Sequence, residues 1–221
     1  MARTVWFLTG NAGKIMEATN HLEPLGYTVK QLIVEGVSII EPQAETLEEV
    51  AQSKISQALA HLPGGKDSED LLMVEDAGLF VDALNGFPGV ISAYALKTIG
   101  CTGILKLLEH LNSEDTVQSA QLRSAEFQAV AALWNNGEIL YGNGSCPGWI
   151  ALESSEGEGF GFDPIFTPYD LDALGEPLQP GNYGEKSTHG KTFGAIPLNE
   201  KQVFSHRTKA LNDLLRQLPS A

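Results

Sequence analysis

The sequence predicts an α/β fold built around a mixed sheet. Short apolar stretches of strand length alternate with helix-period segments through the first half of the chain. Further on, Asn135-Asn136-Gly137 joins two strand-like stretches, which is hairpin chemistry. A leucine-rich amphipathic segment then closes the chain.

Thr4 to Leu8 reads as a buried strand running into a glycine turn. Ala12 to Leu25 reads as a helix with Ile15, Ala18, Leu22 and Leu25 on one face. Thr28 to Val34 is a second strand. Thr46 followed by Glu49 is a capping box that opens a helix to about Leu59. Pro63-Gly64-Gly65 and its charged neighbours form a loop. Leu71 to Val74 is a short strand ending at an acidic pair. Thr102 to Leu111 is a helix, and Ala125 to Trp134 a strand that turns back into Ile139 to Tyr141. Trp149 to Leu152 is a separate strand. Residues 154–161 are glycine-rich, and 168–190 read as a surface loop or insertion. One helix from about Leu198 to Leu218 carries Val203, Leu211, Leu214, Leu215 and Leu218 on its apolar side.

At 221 residues, 43% hydrophobic and 19% charged, the chain is globular: one domain, or two interlocked lobes. No apolar run approaches the ~20 residues of a membrane span, and Val5-Trp6-Phe7-Leu8 is too short for a signal-peptide core. The expectation is a cytoplasmic protein with no membrane partner. Cys101 and Cys146 form no CxxC pair and read as reduced packing residues. A net charge of −14 speaks against a nucleic-acid polymer as partner, yet allows a small phosphorylated substrate met by a metal and a few local cations.

Four segments hold chemistry. Thr9-Gly10-Asn11-Ala12-Gly13-Lys14 lies between a strand and a helix, where free N–H groups and the helix dipole suit a phosphate. It is not a Walker A loop, because the glycines are too close and Ile15 stands where a hydroxyl would hold magnesium. Val74-Glu75-Asp76-Ala77-Gly78 sets two carboxylates side by side. That suits Mg²⁺ and a proton-accepting carboxylate, and equally a solvated strand end. In Gly159-Phe160-Gly161-Phe162-Asp163-Pro164, Phe160 and Phe162 offer rings to a base and Asp163 an acceptor to its edge; the same residues fit a turn with core aromatics. Ser205-His206-Arg207, with Lys201 a turn earlier, supplies donors for phosphate or a base carbonyl, or simply a polar helix face. Pro42 fixes the backbone after Glu41, a weak pointer to a ligand.

Together and in this order, these segments resemble the inosine/xanthosine triphosphate pyrophosphatase family, also called Ham1-like. The likeness includes Asp82-Ala83-Leu84-Asn85-Gly86-Phe87-Pro88-Gly89 and Glu200-Lys201 and covers most of the chain. It implies an elongated mixed sheet with helices on both sides, two lobes around a nucleotide cleft, and a homodimer. It further implies hydrolysis of ITP, dITP and XTP to the monophosphate and pyrophosphate with Mg²⁺, for which Mn²⁺ can substitute.

By resemblance, Asp76 is catalytic, and Glu41, Asp76 and Glu75 hold the metal. Thr9, Gly10, Asn11, Ala12, Gly13 and Lys14 bind the triphosphate, and Lys54 touches substrate. Ala77, Phe160, Gly161, Phe162, Asp163, Lys201, Ser205, His206 and Arg207 complete the substrate site. The chain departs from the pattern where Ala77 replaces a usual Ser or Thr, and where Gly194-Ala195-Ile196 replaces Ala-Glu-Met. It also departs at the bulky Phe204 and in the length of 168–190. A pyrophosphatase of other nucleotides and an inactive nucleotide-binding protein are the two rival readings.

Overall fold

The computed structural model describes residues 3–36, 38–65, 69–157 and 160–218. The described elements run β1 (Thr4–Phe7), α1 (Ala12–Leu22), β2 (Thr28–Gln31), α2 (Leu47–Ala58), β3 (Leu71–Val81), α3 (Ser92–Thr98), α4 (Gly100–Leu107), α5 (Thr116–Leu122), β4 (Ser124–Asn135), β5 (Glu138–Ile150), β6 (Phe166–Pro168), α6 (Leu198–Gln202) and α7 (His206–Leu215). The six strands form one sheet in the order β2-β1-β3-β4-β5-β6. β1 pairs in parallel with both β2 and β3, whereas β6 runs antiparallel to β5. The mixed α/β sheet is as expected.

The chain divides into two units. The first takes residues up to Ala77, Ala129–Gly144 and the segment from Arg207; the second takes Gly78–Gln128 and Ser145–His206. Each has its own core. In the first, Val5, Phe7, Leu71 and Met73 pack with Ala18 and Leu22 of α1 and with Ala210, Leu211 and Leu214 of α7. In the second, Leu79, Val81, Ile104, Leu108, Phe127, Phe166 and Phe193 pack together.

Local chemistry explains several element starts. Asn11 caps α1, the Thr46–Glu49 capping box opens α2, and Asp115 caps α5 through the N–H groups of Val117 and Gln118. The hairpin turn holds Asn136 and Gly137 at φ 48° and 100°, the left-handed pair that such a turn needs.

Several sequence expectations change. The strand through the acidic pair does not stop there but continues to Val81. The expected strands at Ile139–Tyr141 and Trp149–Leu152 are one strand, β5. Its glycines mark close approach rather than a break: a Cβ at Gly142 would lie 2.2 Å from the Ala210 carbonyl oxygen, and one at Gly148 2.2 Å from that of Thr167. The final helix is two helices. Phe204 turns into the core of the second unit at 3% exposure, while Val203, expected on the apolar side, is 45% exposed. Leu25 is likewise exposed, in a 3-10 turn after α1. The short α3, α5 and β6 were not foreseen. Residues 169–190 hold no helix or longer strand, but buried Leu171 anchors them by bridges to Pro177 and Lys186. Both cysteines are free thiols, and among the described residues no single helix is long and apolar enough to cross a membrane.

Candidate active site

β1 delivers the chain to the expected phosphate turn, and residues 10–13 are exposed. A Cβ at Gly10 would meet nothing within 4 Å, so that glycine leaves open surface. The Asn11 side chain accepts the backbone N–H groups of Gly13 at 2.8 Å and Lys14 at 3.3 Å. Two donors that the sequence offered to phosphate are therefore satisfied internally. Thr9 is fixed on both sides: its hydroxyl accepts from the Asn11 N–H at 3.2 Å, and its carbonyl from the Gln31 amide at 2.8 Å.

Glu75 and Asp76 lie inside β3, so their side chains leave on opposite faces. The adjacent pair is therefore not one carboxylate cluster. Glu75 shares the face of Met73, which packs with α1 and α7. Its Oε1 is 3.3 Å from Lys14 Nζ and 3.1 Å from Arg207 Nε, and Lys14 also donates to the Glu75 carbonyl at 3.1 Å. Asp76 faces α2 instead. Lys54 donates both to Asp76 and, at 2.6 Å, to Glu41 Oε1. Burial raises the Asp76 pKa above the usual carboxylate range, outweighing the attraction of Lys54 and Lys14. For Lys54, burial alone would lower the pKa, but Asp76 and Glu41 overcome it and the ammonium is held charged.

The Glu41 segment has no core anchor: between Leu32 and Leu47 no described residue is buried. It is held by Gln57, whose side-chain oxygen accepts the Ile40 N–H at 2.9 Å and whose NH₂ donates to the Ile40 carbonyl at 2.8 Å. Sequence reading missed Gln57. Its signal was the spacing from Lys54, which places both on one side of α2.

No three His, Cys, Asp or Glu residues among those described group into a metal site. Magnesium does not require such a group, because it uses one or two carboxylates with waters and substrate phosphates. Glu41 and Asp76 already share one cation, Lys54, and Asp76 Oδ2 is buried without a hydrogen-bond partner among the described residues. This donor set fits a hard divalent ion; Glu75, occupied by Lys14 and Arg207, fits less well.

The second unit carries the aromatic turn; Gly159, quoted with it, lies outside the described residues. Phe160 is 53% exposed, whereas Phe162 is buried in the core and offers no ring to a ligand. Buried Asp163 accepts the Phe160 N–H at 3.1 Å and the Lys201 ammonium at 2.5 Å. Lys201 Nζ also stands 4.4 Å from the Phe160 ring centroid. Gly161 takes φ +66°, and its carbonyl accepts from Cys101 Sγ at 3.4 Å, a neighbour the sequence did not reveal. His206 is buried and stacks on Phe127 at 5.0 Å, and Ser205 is half-buried in the turn before α7. The departure at Gly194 has a packing reason: a Cβ there would lie 2.9 Å from Pro164 Cα and from Ser155 Oγ. Ala77 packs at the edge of the first unit's core.

A sequence model described as the Ham1 family matches residues 5–217. A dITP/XTP pyrophosphatase of Thermococcus kodakarensis is 40% identical over 212 residues, 96% of this chain and 95% of that protein. One from Hyperthermus butylicus is 37% identical, covering 98% of this chain and 95% of its own. Among solved structures, a HAM1 protein from Coxiella burnetii superposes with a TM-score of 0.73 at 27% identity, covering 96% of both chains.

Proposed function

The chain belongs to the Ham1 family, and from that premise and the site geometry we propose that it hydrolyses ITP, dITP and XTP to the monophosphate and pyrophosphate. The observation that carries this reading is the buried Asp76 carboxylate, joined to Glu41 through Lys54 and keeping one oxygen without a hydrogen-bond partner among the described residues. In the reaction a water oxygen bonds to the α-phosphorus and the bond to the β-phosphate oxygen breaks. Asp76 takes the water's proton, a task suited to a carboxylate whose proton affinity burial has raised. Asp76 and Glu41 would hold Mg²⁺, which when bound would supply charge neutralisation on the phosphates. Lys14 and Arg207, oriented by Glu75, meet the negative charge on departing pyrophosphate, and Lys54 holds the two carboxylates in place. The exposed Phe160 ring stacks on the base, with Asp163 and Lys201 at its edge.

The 6-oxo group of hypoxanthine and xanthine is an acceptor and rewards donors such as the Lys201 ammonium. The 6-amino group of adenine would face donor to donor, at about 1–3 kcal/mol per unsatisfied group. The same reading makes the protein a cytoplasmic homodimer, and the exposed Ile91, Tyr94 and Ile99 are apolar surface that a second copy would cover.

The test is pyrophosphate release from ITP, dITP, XTP, GTP and ATP, with and without Mg²⁺, in the wild type and in Asp76→Asn. Wild type is expected to prefer the first three and to need the metal. Asp76→Asn is expected to lose roughly 10²–10⁴-fold in rate while still binding nucleotide. Turnover near wild type in that variant would overturn the assignment.

A further inference from the structure

We infer that Gln57 is a positioning residue for Glu41, setting the affinity of the metal site without touching the ion. The inference rests on the proposed role of Glu41 as a metal ligand. Glu41 lies in a stretch that contributes no regular element between β2 and α2, and no described residue from Ile33 to Thr46 is buried. Ile40, its immediate neighbour, is 69% exposed, so apolar packing does not place Glu41. Described side-chain ties take over. One is the pair of Glu41 with Lys54, and one is the Glu49 carboxylate, whose Oε2 accepts the Glu45 N–H at 2.9 Å and the Thr46 N–H at 3.4 Å. The third is the two-way clasp of Gln57 on the Ile40 backbone.

The clasp differs from the other two in kind. The Lys54 pair is itself perturbed whenever a divalent ion enters between Glu41 and Asp76, because the ion and the ammonium compete for the same oxygens. The Glu45 bond sits at the far end, beside the α2 cap. Among the described residues, Gln57 alone holds the backbone next to Glu41 through neutral donors and acceptors that a metal does not contest. It presents an acceptor to the Ile40 N–H and a donor to the Ile40 carbonyl, and so ties the peptide groups on both sides of Ile40, the second of which leads into Glu41. The amide is itself oriented by Ser53, whose carbonyl and hydroxyl accept from its NH₂ at 3.3 and 3.2 Å. Ser53, Lys54 and Gln57 lie within five consecutive residues of α2. One helix segment thus carries both the cation that pairs Glu41 and the amide that aims it. Groups that orient a ligand in this way typically change metal affinity about 10- to 100-fold when removed.

The experiment compares wild type, Gln57→Met, Gln57→Ala and Glu41→Gln. Mn²⁺ affinity is read by electron paramagnetic resonance titration in the absence of nucleotide, the thermal midpoint by calorimetry, and the Ile40 amide by hydrogen exchange. Gln57→Met keeps side-chain length and removes both bonds; Gln57→Ala removes both bonds and the side chain beyond Cβ, with the best helix former in its place. Expected is a Mn²⁺ affinity at least about 10-fold weaker in both Gln57 variants, with faster Ile40 exchange and a thermal midpoint close to wild type. Loss of affinity in Glu41→Gln with wild-type affinity in both Gln57 variants would overturn the positioning role and leave the metal reading standing. Wild-type affinity in Glu41→Gln would overturn the metal role of Glu41 and this inference with it. A thermal midpoint clearly lowered in both Gln57 variants alongside the weaker affinity would assign Gln57 to general stability and refute the inference.

Discussion

Lys54 holds two carboxylates that would otherwise repel, one of them 12% exposed and the other 58%. Its ammonium would compete for the same oxygens with a divalent ion held at the proposed site. Lys54→Met is therefore expected to slow pyrophosphate release while leaving Mn²⁺ affinity equal to wild type or tighter. Its stability cost should be about 1–3 kcal/mol, between the values for exposed and buried pairs. A metal titration beside urea unfolding reads both, and clearly weaker Mn²⁺ binding would refute the competition. Under the proposed function, Phe160 is expected to separate binding from chemistry in a similar way. Its ring is half exposed and its backbone is tied to Asp163, so Phe160→Ala should raise KM for dITP and spare kcat. A base–aromatic stack is worth about 1–3 kcal/mol, or roughly 5- to 150-fold. Cys101 offers a pH test. Burial first, and then the nearby Asp163 charge, raise its thiol pKa above the usual value. A folded-state value above the unfolded one means stability present below the ordinary thiol range and lost as pH climbs through the raised value. Iodoacetamide should therefore label Cys101 with a pH midpoint above that of free cysteine, and Cys101→Ala should flatten the alkaline fall in stability. A midpoint at or below the free-thiol value would contradict this.

At the scale of elements, the sequence was readable where the signal is local. The Thr46–Glu49 box and the Asn136-Gly137 turn need only their own neighbours, and both are present. It misled where a distant partner decides. Two adjacent carboxylates looked like the end of a strand because nothing nearby neutralises them. Lys14, Lys54 and Arg207 do so from three other segments, and β3 runs on. β5 reads as two separate strands in the sequence because the helix and strand that press against its glycines are remote in sequence. Arg123 is the clearest such case. It is 2% exposed, and no carboxylate stands among its described partners. Its guanidinium donates to the carbonyls of Leu108, Leu111, Ile150 and Ala151 at 2.6 to 3.2 Å, binding the end of α4 to the end of β5. Arg123→Met would leave those carbonyls to find other partners, at about 1–3 kcal/mol for each one left buried and unpaired. We expect a loss on the order of 3–5 kcal/mol in urea unfolding; less than about 1 kcal/mol, the scale of an exposed pair, would show that the cluster is not structural.

At the scale of the whole molecule, the four motifs divide between the two units. The phosphate turn, Glu41, Lys54, Asp76 and Arg207 belong to the first; Phe160, Asp163, Lys201 and His206 belong to the second. Their order along the chain was legible, and the α/β class followed from strand and helix alternation. Their partition was not, because β3, β4 and β5 each give residues to both units, and the boundary even separates the neighbours His206 and Arg207. This partition predicts two classes of variant. Substitutions in the first unit's set should alter metal dependence and turnover for every base alike, whereas substitutions at Phe160 or Lys201 should alter the ranking of dITP, XTP, GTP and ATP. Binding should also stabilise the fold by mass action. A non-hydrolysable dITP analogue with Mg²⁺ at a hundred times its Kd contributes about 2.7 kcal/mol. For a chain of this size that raises Tm by roughly 5–11 °C. The Mg²⁺-dependent part of that rise should vanish in Glu41→Gln and Asp76→Asn, while the metal-free part stays, because Lys14 and Arg207 still meet the phosphates. Calorimetry of the three proteins with analogue alone, Mg²⁺ alone and both decides it. An undiminished Mg²⁺ increment in both variants would place the ion on other ligands.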